Sequence, residues 1–193
     1  SRKMPEKGIE STICGRPAAN GAAQLIRVRR SAGHKTRGWL FVDGLAFPVA
    51  LGRGSILANK REGDGGTPRG HFHPVRLWWR KDRLPRPRTR LPTRAIQPFD
   101  AWSEDPLSRN YNRPFRIAPD AAGDRLTRAD NLYDIIIEID HNTRPRIAGR
   151  GSAVFLHLAR PGFAPTAGCV ALRRNDLLRL VARLGPHTRI DIA

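Results

Sequence analysis

Val154-Phe155-Leu156-His157-Leu158 is followed, after a loop carrying Pro161, Gly162 and Pro165, by Thr166-Ala167-Gly168-Cys169-Val170. The first run is apolar, of strand length, and bounded by turn residues. It predicts a strand buried inside a sheet, with a histidine on it. The second run places one of only two cysteines directly after a glycine at the mouth of a turn. A free thiol titrates near about 8.5, so little thiolate exists at neutral pH unless a base, a cation or a helix N-terminus favours it. His157 is such a base, and Arg173 to Leu184 is expected to supply a helix just behind the cysteine. This arrangement predicts a nucleophilic thiolate that persists below the pH of an ordinary thiol. Gly168 lets the backbone approach a substrate closely, so amides around Gly168 and Cys169 can face a developing oxyanion. Residue types alone leave a second reading open, in which Cys169 is a packed core residue and His157 a hydrogen-bonded structural one.

Working outward, the same β pattern recurs. Ile26 and Val28 alternate with Arg27 and Arg29. Trp39 to Val42 and Leu45 to Ala50 flank Asp43-Gly44, a strong hairpin signal because type I′ turns need two residues with positive φ. His71 to Leu77, Leu132 to Ile139, Ala153 to Leu158 and Thr188 to Ile192 are further expected strands. Asn175 to Leu184 has apolar residues at 177, 178, 180, 181 and 184, a helical period, stopped by Gly185-Pro186. Residues 80–131 are mostly loop by composition. So long a segment inside a compact domain predicts a cap packed over the site. Residues 1–23 show no periodicity and read as a flexible extension ahead of a single domain over 24–193. The fold class is therefore mostly β, with one or two helices and a long capping loop.

Composition narrows the function classes. The chain has 193 residues and a net charge of +18, from 35 Lys and Arg against 17 Asp and Glu. That field favours anionic partners. Between Arg76 and Arg94 lie eight basic residues and one acidic, interleaved with Trp78, Trp79 and three prolines. Basic residues with aromatics are one form of nucleic-acid surface. No recognised binding motif accompanies them, and the prolines argue for an ordered loop with arginines facing water. No specific nucleic-acid partner is expected, and a basic binding module without catalysis stays as the distant alternative. No apolar run approaches the roughly 18 residues that cross a bilayer. Ser1 to Cys14 carries Arg2, Lys3, Glu6, Lys7 and Glu10 with no apolar core, so no signal peptide is visible. Cys14 has no evident partner if Cys169 is a free nucleophile. Gly63 to Gly70 lacks the Gly-Lys-Ser/Thr ending of a phosphate loop. His71 and His73 lack the companions of a zinc site, so neither metal nor cofactor is expected.

Three stretches together carry a family resemblance: Lys60 to Gly70 with its Gly63-Asp64-Gly65-Gly66-Thr67-Pro68-Arg69-Gly70, Ile147 to His157, and Thr166-Ala167-Gly168-Cys169-Val170. In this order over about 110 residues they resemble the L,D-transpeptidase catalytic domain (the YkuD-like family). The pattern departs at Ala171, where the family commonly has Arg or Asn, and in a shorter loop between histidine and cysteine. The resemblance implies a β-sandwich-like fold and a cysteine acyltransferase acting on peptidoglycan stem peptides. Cys169 would be the nucleophile and His157 the base, with a backbone carbonyl near Leu158 holding the imidazole. Amides of Ala167, Gly168 and Cys169 would bind the oxyanion, and the Thr166 hydroxyl would brace the loop. Tyr111-Asn112-Arg113-Pro114 matches a segment of one branch. Tyr111, Arg113 and His141 are thus candidate substrate contacts, against solvated and turn roles for the same residues. The basic surface would hold the anionic cell-wall polymer. A hydrolase on the same scaffold is the alternative that Ala171 favours. The periplasm or cell envelope is the implied compartment, with the cytoplasm as alternative.

Overall fold

The computed structural model of the protein describes residues 21–193, so Cys14 and residues 1–20 of the expected extension lie outside the described residues. Strand β1 (Leu25–Arg30) buries Ile26 and Val28 on one face, as the alternation predicts. β2 (Arg37–Val42) and β3 (Leu45–Ala50) form the hairpin, with Val42 opposite Leu45 and positive φ at both Asp43 and Gly44. Ala22 and Ala23, just ahead of β1, are buried. The Ala23 N–H donates to Arg183 O at 2.8 Å, and Ala23 O accepts the Thr188 hydroxyl at 2.7 Å.

After the short parallel pair β4 (Ile56–Leu57) and β5 (Thr67–Pro68) come β6 (Gly70–Phe72) and β7 (Pro74–Trp79). Sequence predicts one strand here. The chain instead breaks at His73, because Pro74 lacks an N–H and restricts the residue before it. β8 (Thr93–Ala95), β9 (Asp100–Trp102) and β10 (Pro114–Arg116) precede β11 (Ile135–Ile139), β12 (Phe155–Leu158) and β13 (Val170–Leu172). Helix α1 (Arg174–Val181) and β14 (Arg189–Ile192) close the chain. Ten strands make one sheet in the order β6-β14-β1-β2-β3-β13-β12-β11-β7-β8. β6 is first in that order and β7 ninth, yet one residue joins them. The sheet therefore curls until its ends meet, which gives the sandwich-like body.

The curl encloses the main core. Ile135, Ile137 and Ile139 of β11 meet Leu156, Leu158, Val170 and Leu172 there, with Leu177, Leu180 and Val181 of α1. Each such aliphatic side chain contributes about 1.5–3 kcal/mol on burial. α1 ends before the predicted Leu184, because Arg183 N–H and Leu184 N–H bond to Leu180 O and Val181 O and tighten the last turn. β11 and β12 are buried on both faces, which their unbroken apolar runs require. Their outer face carries Ile136 and Phe155, packed with Trp78 and Cys169 under Ile96, Trp102 and Leu126 from the 80–131 segment. That segment is folded, with β8 paired to β7 and β9 to β10, and it covers the sheet where the cysteine lies. Among the described residues no helix is long and apolar enough to cross a membrane.

Candidate active site

β12 and β13 run parallel with Leu156 opposite Val170 and His157 opposite Ala171. Cys169 therefore falls level with Phe155, on the same face as His157 and two residues away. Such a diagonal separates Cα atoms by roughly 8 Å, a span that an imidazole and a thiol can close between them. Both residues line a cavity of about 340 Å³ together with Thr166, Ala167 and Gly168. The cap contributes Glu104 and Arg128 to its wall, the turn ahead of β11 contributes Tyr133, and the glycine-rich segment contributes Lys60, Glu62 and Gly63.

His157 is buried, and its Nδ1 lies 2.8 Å from Leu158 O. A carbonyl only accepts, so Nδ1 carries the proton and Nε2 is left as the basic atom. The ring packs edge-on against Tyr133 at 5.5 Å. Burial pushes its pKa down to about 4, against the pull of the Leu158 carbonyl. Cys169 Sγ donates to Ala153 O at 3.2 Å and accepts from Phe155 N–H at 3.4 Å. Burial pushes the thiol up to about 12, with the Phe155 N–H opposing. Burial thus works against both the thiolate and the imidazolium, and so against the preformed thiolate that the spacing predicts. The reason is their place under the cap, where burial removes water from both groups, and β13 separates Cys169 from the helix along the chain.

The loop is held by its own polar groups. Thr166 Oγ1 donates to Cys169 O at 2.7 Å and accepts from Gly168 N–H at 3.1 Å. The Gly168 amide is therefore already engaged, whereas the loop's hydrogen bonds leave the Ala167 and Cys169 amides unused. Gly168 has φ +141, and a Cβ there would lie 2.8 Å from Gly66 O. Gly52 is tighter still, since a Cβ there would run into Gly65 O. The glycine-rich segment packs directly beneath the cysteine loop, and only glycines permit that approach. Asp64 ties the segment together, accepting from Lys60 Nζ at 2.6 Å, Arg61 N–H at 2.7 Å and Gly66 N–H at 2.8 Å. Thr67 Oγ1 accepts from Gly52 N–H at 2.9 Å.

The other candidates lie apart from the cavity. Arg113 is exposed and outside its wall. His141 packs edge-on to Phe72, with Nε2 3.2 Å from Arg150 O. Tyr111 is buried behind the wall, donating its hydroxyl to Glu62 Oε1 at 2.6 Å and accepting from Gly151 N–H at 3.0 Å. Its neighbour Asn112, which sequence reasoning passed over, is the hub of this region. Asn112 Oδ1 accepts from Ala153 N–H and Trp102 Nε1, both at 3.2 Å, and Nδ2 donates to the carbonyls of His141 and Asn142. It thereby fixes Ala153, whose φ of +51 is unusual for a side-chain-bearing residue and whose carbonyl holds the thiol. Glu62, Glu104, Arg128, Tyr133 and Arg160 were also not singled out. Glu62 at least lies within the quoted Lys60 to Gly70 stretch.

Of the eight cations between Arg76 and Arg94, four are paired: Arg76 with Glu138, Arg80 with Asp82, Arg83 with Asp134 and Arg94 with Asp100. His71 and His73 pair separately with Asp191 and Asp140, and no metal-holding group of His, Cys, Asp or Glu occurs among the described residues. The family model described as the YkuD L,D-transpeptidase catalytic domain matches residues 24–192. Comparison with curated proteins and with solved structures finds no match.

Proposed function

The chain belongs to the L,D-transpeptidase catalytic-domain family, and on that premise we propose that it acylates itself with a peptidoglycan stem peptide and passes the acyl group to an amine. Cys169 Sγ attacks the carbonyl carbon of an amide between an L-configured centre and a terminal D-amino acid. The thiol proton moves to His157 Nε2, a thioester forms, and the C–N bond breaks as that proton is delivered to the leaving amine. An incoming amine then attacks the thioester, His157 takes its surplus proton, and the proton returns to sulfur. Leu158 positions the imidazole through its carbonyl. Ala167 and Cys169 amides meet the oxyanion, where one such donor is worth about 100- to 1,000-fold in rate. No cofactor takes part in these steps.

The hydrogen bond from His157 Nδ1 to Leu158 O carries this reading, because it leaves Nε2 free as a base on the face that also bears Cys169. Burial disfavours both the thiolate and the imidazolium, so full proton transfer ahead of bond formation is costly. Deprotonation is therefore concerted with formation of the C–S bond. Ala171 supports a second reading, hydrolysis, since its methyl lies in register with His157 where the family commonly has a long polar side chain. The exposed Lys81, Arg86, Arg88 and Arg90 would add a weak, salt-screened attraction to the anionic wall, in the cell envelope. Incubation of a tetrapeptide stem with excess D-methionine tests the proposal. Exchange of the terminal residue, lost in Cys169→Ser, is expected. Tripeptide as the sole product would establish the hydrolase, and an unmodified stem would refute both.

A further inference from the structure

Glu104 is the acidic side chain of the cavity wall that no other group among the described residues holds. It lines the cavity, is exposed, and its carboxylate makes no hydrogen bond or ion pair with a described residue. Its acidic neighbour Glu62 is committed, accepting both the Tyr111 and Ser152 hydroxyls at 2.6 Å. Of the wall's cations, Arg53 reaches only Gly63 O, and Arg160 makes no ion pair among the described residues, while the other two are committed. Lys60 is held by Asp64 at 2.6 Å and by Arg61 O at 2.7 Å, and Arg128 makes two 2.8 Å bonds to Asp130. The surroundings work against the charge: burial, Asp124 and Glu62 push the Glu104 carboxyl up to about 7.

The charge does not help the first half-reaction either. Negative Glu104 raises the Cys169 pKa and so opposes thiolate formation, and it is not among the groups that shift His157. An exposed, unpaired carboxylate on the wall of a nucleophile's cavity, opposing that nucleophile's ionisation, is suited to meet a cation that arrives later. We propose that Glu104 is the specificity-determining residue for the acyl acceptor, holding the ammonium group of the incoming amine beside the thioester. This rests on the transferase reading above. The acceptor class is accordingly a primary amine that is protonated in solution, as a free D-amino acid or a stem-peptide side chain is. Pairing with the carboxylate collects the ammonium, and loss of its proton within the cavity frees the lone pair for attack on the thioester carbon.

Glu104→Gln keeps the shape and removes the charge, so the two half-reactions separate. Thioester formation from a tetrapeptide stem, followed by intact mass, is expected to be at least as fast as in the wild type. The KM for D-methionine is expected to rise about tenfold or more, with tripeptide accumulating at the expense of exchange. Hydroxylamine, uncharged at neutral pH, should intercept the thioester equally well in both proteins, and Glu104→Asp should restore part of the D-methionine affinity. An unchanged KM for D-methionine, or an equal loss with hydroxylamine, would overturn the assignment while leaving the transferase standing. Failure of the wild type to form any thioester would refute the function and this assignment with it.

Discussion

If the resting site holds neutral partners, Cys169 should be a poor nucleophile towards reagents that do not recruit His157. At pH 7.5 a thiol of pKa about 12 is ionised in roughly 3 molecules per 100,000, against about 1 in 11 for a free thiol of pKa 8.5, a deficit near 3,000-fold. The more basic thiolate is intrinsically more reactive, and a Brønsted slope of about 0.4–0.5 over this interval returns roughly 40-fold. Alkylation by iodoacetamide should therefore run about 100-fold slower than for a free cysteine, and slower still because Cys169 is only 7% exposed. The rate should climb without a plateau past pH 9. His157→Gln should leave this profile unchanged, since the imidazole holds no thiol proton at rest. The same variant should lose acylation by a stem peptide by several orders of magnitude, because there the proton must leave as the C–S bond forms. Intact mass against time across pH 6–10 measures both. An alkylation midpoint at or below 8.5 that His157→Gln abolishes would show a preformed ion pair and refute the concerted reading.

Two further outcomes follow from the loop and from the buried imidazole. Thr166→Val is nearly isosteric but leaves Gly168 N–H and Cys169 O without their partner, so it should lower stability by about 1–3 kcal/mol and slow thioester formation at least tenfold, whereas Thr166→Ser should retain both; chemical denaturation and single-turnover mass spectrometry check this. His157 has its folded pKa depressed from 6.5 to about 4, so its neutral burial contributes fully above pH 6.5 and is lost as pH falls towards 4; relative to His157→Gln, the wild type should lose about 2–3 kcal/mol between pH 7.5 and 4.5 in urea titrations.

Much of the sheet is legible because its signals are local. Asp43-Gly44 specifies a turn that needs no distant partner, and the unbroken apolar runs of β11 and β12 state that both faces are covered. What covers them is less evident. β9 and β10 are three residues each, and the cap holds together through buried Trp102 and Leu126 scattered among arginines and prolines. Val170-Ala171-Leu172 suits a helix start as well as a strand. Pairing with Ala50 on one side and β12 on the other decides it, and those partners are remote in sequence. That tertiary choice seats Cys169 at the end of a strand buried under the cap, and the burial pushes its thiol pKa up.

The site divides along the same line. Cys169, His157 and the Thr166 brace share one short stretch, so residue type and spacing suffice to find them. Glu104 and Arg128 come from the cap and Tyr133 from the turn ahead of β11, and only the fold brings them to the cavity, while Asn112 acts behind it through Ala153. Ala171 makes their contribution the deciding one for specificity. It lies beside His157 on the face of the site, and one methyl can neither pair with a charge nor orient an acceptor. Any discrimination between an amine and water must then come from groups that reach the cavity from other segments. Of these, Glu62, Lys60 and Arg128 are spent on Tyr111 and Ser152, on Asp64, and on Asp130. Glu104 alone brings an unspent negative charge from the cap. On the transferase proposal, the choice of acceptor would then fall to the cap rather than to the strand after the cysteine.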